Sequence, residues 1–160
     1  MLAKNAYAAA EISKLLRERK IIKRYLAILC GIPGKFEGII ESIIKKGDPE
    51  LSREQKEQYA RTKFNVIAKH QKLLSLVKMI PLTGRKHQIR LHSKKIGCSI
   101  LGDSKHGYYN GKNEIYKHAY LHLHAYSLKF TLLDKKYNLK AELPSHFSDT
   151  MNQYFPNLKT

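Results

Sequence analysis

Residues 21–47 read IIKRYLAILC-GIPGK-FEGIIESIIKK-G, and this stretch decides the fold class. From Ile21 to Cys30 the residues are β-branched, aliphatic and aromatic, which predicts a strand, and Gly31-Ile32-Pro33-Gly34 closes it as a turn. Residues 36–46 predict a second strand, ended by Gly47-Asp48-Pro49. Neighbouring strands of this kind can pair as antiparallel partners.

Working outward, residues 5–19 predict an amphipathic helix. Asn5 can cap it, and Ala8, Ala9, Ile12, Leu15 and Leu16 recur at helical spacing. Downstream, Glu50 to Gln58 is polar and reads as a loop or short helical turn. Strands follow near 60–69 and 72–80, joined around Gln71. Pro81-Leu82-Thr83-Gly84 breaks the pattern, and Lys86 to Lys95 predicts a short basic helix ended by Gly97. Residues 99–113 form a Gly-rich loop region with Asp103, Gly107 and Gly111. Strands near 119–131 and 136–142 precede a helix after Pro144. Strands outnumber helices and no repeat, low-complexity tract or linker interrupts them. The expected fold is one α+β domain on a mixed, mainly antiparallel sheet with flanking helices.

Composition narrows the class. The chain has 160 residues, enough to bury a core, with 42% hydrophobic and 27% charged residues. No apolar run reaches the ~18 residues of a membrane span, and residues 1–5 have no signal-peptide layout, so a cytoplasmic protein is expected. Cys30 and Cys98 alone cannot build a disulfide framework or a thiolate zinc site. The formal net charge is +17. Residues 1–80 hold 17 basic and 8 acidic side chains and residues 81–160 hold 13 and 5, so no single basic tail carries the excess. A surplus of this size suits a polyanionic partner, and nucleic acid is favoured.

The densest polar cluster runs from Thr83 to His92, opening a helix straight after a strand. On a helix His87, Arg90 and Lys94 fall on one side, while Ile89 and Ile96 can face the core. Spacing alone leaves a phosphate or carboxylate site and a solvated basic helix equally open. Tyr25, inside a strand, reads in isolation as a core or cross-strand residue. His122 and His124 would share a strand face near His118, but no third ligand stands at metal-site spacing, so no metal is expected. Motifs for nucleotide hydrolysis, dinucleotide chemistry and serine hydrolysis do not occur in the sequence.

RERKIIKRYLAI at 17–28, ART at 60–62, LTGRKHQIRLH at 82–92, IGCSILGDSKHG at 96–107, LHAYSLKF at 123–130 and AELP at 141–144 occur in this order, after LAKN at the start. The set resembles the RluA-type RNA pseudouridine synthases, in their bacterial large-subunit ribosomal branch, over nearly the whole chain. The resemblance implies isomerisation of uridine to pseudouridine in RNA, with no cofactor and no metal. The target base is flipped into a pocket, detached from the sugar and rejoined through carbon 5. It assigns Tyr25 to stacking on the base and handling the carbon-5 proton. Arg90 is assigned to the arginine that pairs with the catalytic aspartate, and Leu123 to the apolar residue against the base. Arg85, Lys86, His87 and Lys94 become RNA contacts by position. Asp103 falls in a loop where the family has a structural aspartate.

The family's His-Arg-Leu-Asp-x-x-Thr-Ser-Gly motif, which carries the catalytic aspartate, is not among the 160 residues. The expectation is therefore a partial catalytic domain over 1–160, without that segment or an amino-terminal RNA-binding domain. It would be inactive alone and would need a missing amino-terminal fragment as partner. Its origin would be a split gene, a start-site error or decay. A catalytically silent RNA-binding module and a non-functional remnant are the alternatives. On this reading Arg90 is a buried or half-buried cation without its carboxylate, a costly state.

Overall fold

The computed structural model describes residues 5–46, 56–107 and 120–158. Strand β1 (Ile22–Cys30) lies inside the sheet, and Leu26, Ala27, Ile28 and Leu29 are buried in succession. Four buried residues in a row mean that both faces are covered, which is why the sequence shows an apolar run instead of an alternation. Ala27 and Leu29 enter a cluster with Val77, Met79, Ile89 and Ile100 on one face. Leu26 and Ile28 enter a cluster with Leu74, Leu76, Phe147 and Met151 on the other.

Strands β2 (Glu37–Lys46), β3 (Lys56–His70), β4 (Leu74–Pro81), β5 (Leu123–Leu132) and β6 (Lys135–Lys140) complete a six-stranded sheet. Its order is β2-β3-β4-β1-β5-β6, and every pairing among the described strands is antiparallel. The fold is α+β, and the mixed-sheet option is not realised among these strands. Helix α1 (Ala6–Arg17) begins at the expected cap, where the Asn5 side chain accepts from the Ala8 N–H at 2.8 Å. None of its residues is buried. Helix α2 (Gln88–Lys95) covers the first face through Ile89, and α3 (Ser145–Tyr154) covers the second through Phe147 and Met151.

Several boundaries differ from the sequence reading, among them the start of β5 at Leu123 instead of near residue 119, and two of the differences have a clear physical cause. Strand β3 starts at Lys56 instead of near residue 60, because Lys56, Glu57 and Gln58 continue the ladder opposite Lys46, Lys45 and Ile44. These pairs lie at the end of the outermost ladder, where polar side chains reach water and polarity does not stop a strand. Helix α2 starts at Gln88 instead of Lys86, because His87 takes a left-handed conformation with φ 55°. Most of the polar stretch 50–58, the loop positions after Gly107 including Gly111, and His118 lie outside the described residues.

Two glycines are required by geometry. Gly31 turns the chain out of β1 at φ 93°, and its carbonyl accepts from the Ser75 hydroxyl at 2.8 Å. Gly102 has φ 75°, and a Cβ there would stand 1.9 Å from the Tyr120 carbonyl oxygen. No other residue fits that approach between the loop before Asp103 and the chain entering β5.

Candidate active site

Helix α2 is pinned to the sheet by a buried polar chain. The Gln88 amide nitrogen donates to the Arg61 carbonyl and to Thr62 Oγ1, both at 2.8 Å. Its Oε1 accepts from the Thr83 hydroxyl at 2.7 Å and from the Arg85 N–H at 3.0 Å. One turn later His92, fully buried, places Nδ1 2.8 Å from Thr62 Oγ1 and Nε2 2.9 Å from Ser42 Oγ. Burial, helped by the nearby Lys95 charge, lowers the His92 pKa to about 4, so the ring is neutral at pH 7. Gln88 and His92 stand one helical turn apart and lock the rotation of α2 against β3 and β2. Residues 90 and 94 are thereby turned to the other side.

Arg90 uses that orientation to reach Asp103. Its Nε donates to Asp103 Oδ2 at 2.8 Å, and its Nη2 donates to Oδ1 to close the fork. Asp103 is 1% exposed, and its Oδ1 also accepts from the backbone N–H of Lys105 at 3.1 Å and of His106 at 2.9 Å. Burial alone would raise this carboxyl. The Arg90 hydrogen bond, the His106 N–H and the guanidinium charge outweigh burial and hold the carboxyl below its ordinary value. The expectation of an Arg90 left without a carboxylate is therefore corrected. The ILGD aspartate lies near enough in space to take the guanidinium itself, and the fork removes the cost of a lone half-buried cation.

His87 and His106 stand beside this pair. His106 Nε2 lies 2.9 Å from His87 Nδ1, and the rings meet edge to face at 4.8 Å between centroids. Such a bond needs a donor on one ring and an acceptor on the other, so both rings cannot be protonated while it lasts. Burial and then the Arg90 charge lower both pKa values, against an opposing pull from Asp103. His87 is thus part of the Arg90–Asp103–His106 cluster and not a residue of the helix proper.

Tyr25 and Leu123 come together on the first face. Both are partly buried and both pack against the cluster that contains Ala27, Met79 and Ile89. Ala27 pairs with Leu123 across β1 and β5, while Tyr25 pairs with Met79 across β1 and β4. The β1–β5 register shifts between Arg24 and Leu26, so Ala125 and Tyr126 together face Tyr25. A bulge of this kind bends the strand and re-aims the side chain beside it. Ile89, the residue before Arg90, ties the apolar wall to the helix that holds the guanidinium.

The other predicted residues are more dispersed. Arg85 donates through Nε to the Tyr59 carbonyl at 3.1 Å, while Lys86 and Lys94 are exposed. His122 and His124 do share a face, both rings stacking near Phe147. His122 is engaged with the Tyr120 carbonyl and Thr150 Oγ1, each at 2.9 Å. Among the described residues no group of three or more His, Cys, Asp or Glu could hold a metal ion. No helix among them is long and apolar enough to cross a membrane. Sequence reasoning passed over Thr62, Thr83, Gln88, His92 and His106. The signal for Gln88 and His92 was present, as two polar residues at i, i+4 on a helix face that also buries Ile89 and Ser93.

The family described as RNA pseudouridylate synthase matches residues 1–95. The chain belongs to this family. Among relatives, the ribosomal large subunit pseudouridine synthase C of Rickettsia bellii is 34% identical over 154 residues, covering 92% of the chain and 50% of the relative. An uncharacterized RNA pseudouridine synthase of Zymomonas mobilis is 35% identical, covering 93% of the chain and 69% of the relative. The solved structure of human RNA Pseudouridylate Synthase Domain Containing 4 superposes with a TM-score of 0.80 at 27% identity, covering 94% of this chain and 68% of that one. The chain therefore spans about half the length of the Rickettsia relative it matches.

Proposed function

We propose that these residues form the base-facing and RNA-facing part of an RNA pseudouridine synthase, acting in the cytoplasm on large-subunit ribosomal RNA. One observation carries the reading: Tyr25 and Leu123 share an apolar wall with Ile89, and the next residue, Arg90, carries a guanidinium oriented by a buried carboxylate. A flipped uracil needs a flat apolar wall and an aromatic partner. The rearrangement exchanges a nitrogen–carbon glycosidic bond for a carbon–carbon one and moves a proton from carbon 5 to nitrogen 1. It is redox-neutral. Arg85, Lys86 and His87 border the start of α2 and Lys94 lies in its last turn, and all four serve the phosphates around the target base.

The reaction also needs a carboxylate that can act on the nucleotide. Asp103 is 1% exposed and accepts four hydrogen bonds, two from Arg90 and two from backbone N–H groups, so its charge is committed to Arg90 and its own loop. It is a positioning residue for Arg90. The reading therefore assigns the acting carboxylate to a segment outside these 160 residues, and these residues alone to RNA binding without turnover. The test is tritium release from RNA labelled at uridine carbon 5. No release is expected from the chain alone, with release restored when a polypeptide bearing the His-Arg-Leu-Asp segment is added. Turnover by the chain alone overturns the assignment of the carboxylate, and failure to bind RNA overturns the function.

A further inference from the structure

Strands β1, β5 and β6 make up one end of the sheet, and their sequences hold Lys23, Arg24, Lys129, Lys135, Lys136 and Lys140 with no aspartate or glutamate. The other end is different. Strands β2 and β3 interleave Glu37, Glu41 and Glu57 with Lys45, Arg61 and Lys63, and Glu41 pairs with Arg61 at 2.9 Å. A surface charged only for solubility mixes signs in the manner of β2 and β3. These strands carry six cations and no acid of their own, with Asp134 in the β5–β6 turn and Glu142 after β6 the nearest acids in sequence, and this imbalance calls for another explanation.

Register places its cations. Arg24 pairs with Ser127 and Ser127 with Lys140; Ile22 pairs with Lys129 and Lys129 with Asn138; Thr131 pairs with Lys136. Paired residues share a face, as do residues two apart along a strand. Arg24, Lys129, Lys136 and Lys140 therefore project from one face. With strands ~4.8 Å apart and alternate residues ~6.8 Å apart, Lys129 lies about 8 Å from both Lys136 and Lys140, and the four span about 17 Å. Diagonal neighbours at this spacing are within reach of long side chains, so the cations form one patch. None of the four has an ion-pair partner among the described residues. Lys140 lies over the Tyr126 ring, 5.8 Å from its centre, which holds one cation of the row in place.

We infer that this face is a second RNA-contact surface, separate from the wall of Tyr25 and Leu123, which grips the phosphate backbone of RNA flanking the target uridine. The inference rests on the RNA reading above. A run of cations without acids complements a continuous polyanion. A protein partner would need an apolar centre to desolvate, and among the described residues Ile22 is the exposed large hydrophobic that β1, β5 and β6 place on this face.

The experiment uses the full chain and a fluorescein-labelled 30-nucleotide RNA of mixed sequence, with the dissociation constant measured across salt concentrations. The variant is Lys129→Gln/Lys136→Gln/Lys140→Gln. A charge-matched control is Lys14→Gln/Lys63→Gln/Lys72→Gln, at exposed positions elsewhere. Each single-strand phosphate contact contributes ~0.7 to the slope of log affinity against log salt, so the variant should lose about 2 from that slope. The control should lose far less, and both should melt with the wild type. Equal loss in variant and control reduces the effect to net charge and overturns the inference, as does a variant that binds like the wild type. Wild-type binding that ignores salt defeats the RNA reading itself. Binding to phosphatidylserine vesicles that the variant loses, with RNA binding intact, assigns the face to a membrane surface instead.

Discussion

Replacing Asp103 by leucine removes two kinds of interaction at once, and they can be separated. The Arg90 side chain is 17% exposed, so without Asp103 it keeps a charge that water reaches only in part. Cutting one partner from a buried ion pair costs ~3–5 kcal/mol, and the exposure of Arg90 places this case at the lower end, near 3. The N–H groups of Lys105 and His106 also lose their acceptor, at ~1 kcal/mol for each. Asp103→Leu should therefore destabilise the fold by about 4–5 kcal/mol. The double variant Arg90→Met/Asp103→Leu removes the stranded charge and should recover about 3 kcal/mol, leaving only the loop N–H cost. Asp103→Asn keeps Oδ1 as an acceptor but sets an NH2 against the Arg90 Nε–H, so it loses one bond of the fork together with the charge and should cost about 2–3 kcal/mol. Urea unfolding followed by circular dichroism at pH 7 reads these differences as midpoint shifts. With a slope of ~2 kcal/mol per molar urea for a chain of this size, the leucine variant should unfold about 2 M earlier. A leucine variant within about 1 kcal/mol of the wild type, or a double variant no better than the single, would refute the coupling between fork and loop. The pH dependence has a defined sign. The folded carboxyl is held below its ordinary 3.8, so its contribution is complete above that value and is lost as the pH falls through the lower folded value.

Two further outcomes test the anchoring of α2. Gln88→Leu leaves the Arg61 carbonyl, the Thr62 and Thr83 hydroxyls and the Arg85 N–H without their shared partner, and should cost about 3 kcal/mol in the same assay. A loss below about 1 kcal/mol would show that α2 is held by Ile89 alone. His92 titrates at about 4 in the folded chain against 6.5 ordinarily, so between these values the unfolded chain binds more protons. Stability should fall by up to about 3 kcal/mol from this group as pH drops from 6.5 to 4, and the fall should flatten in His92→Gln. An unchanged pH slope in the variant would sink the assignment.

The sheet was legible because its signals are local. The run from Leu26 to Leu29 and the turn at Gly31 depend on residues adjacent in sequence, and the strand they predict is central because both of its faces are covered. The start of β3 was not legible, since Lys56, Glu57 and Gln58 pair at the end of an outer ladder where side chains are solvated. The start of α2 was not legible either. A histidine at φ 55° is held there by its contact with His106, nineteen residues on, and no helix rule reaches that far. Of the candidate site, motif order picked out Tyr25, Leu123 and Arg90, and the structure sets Tyr25 and Leu123 against the cluster of Ile89, the residue before Arg90. Their placement was readable only in part, because the bulge opposite Tyr25 depends on how two distant strands register.

Arg90 shows why motif and mechanism separate here. Spacing on a helix can relate Arg90 to residues three or four positions away, and on that basis it grouped with His87 and Lys94. Its actual partner is thirteen residues downstream, in a loop closed by a glycine that no other residue could replace. That pairing changes what a carboxylate acting on the nucleotide would meet. The fork fixes the plane of the guanidinium before any such group arrives, and the Gln88 and His92 bonds fix the helix that carries it. Donors oriented in advance stabilise developing charge without reorganising during the reaction, which is where most of their catalytic value lies. On the reading proposed above, the Arg90 guanidinium and the wall of Tyr25 and Leu123 are held in place before the acting carboxylate arrives, so supplying that carboxylate requires no rebuilding of the wall or of the helix beside it.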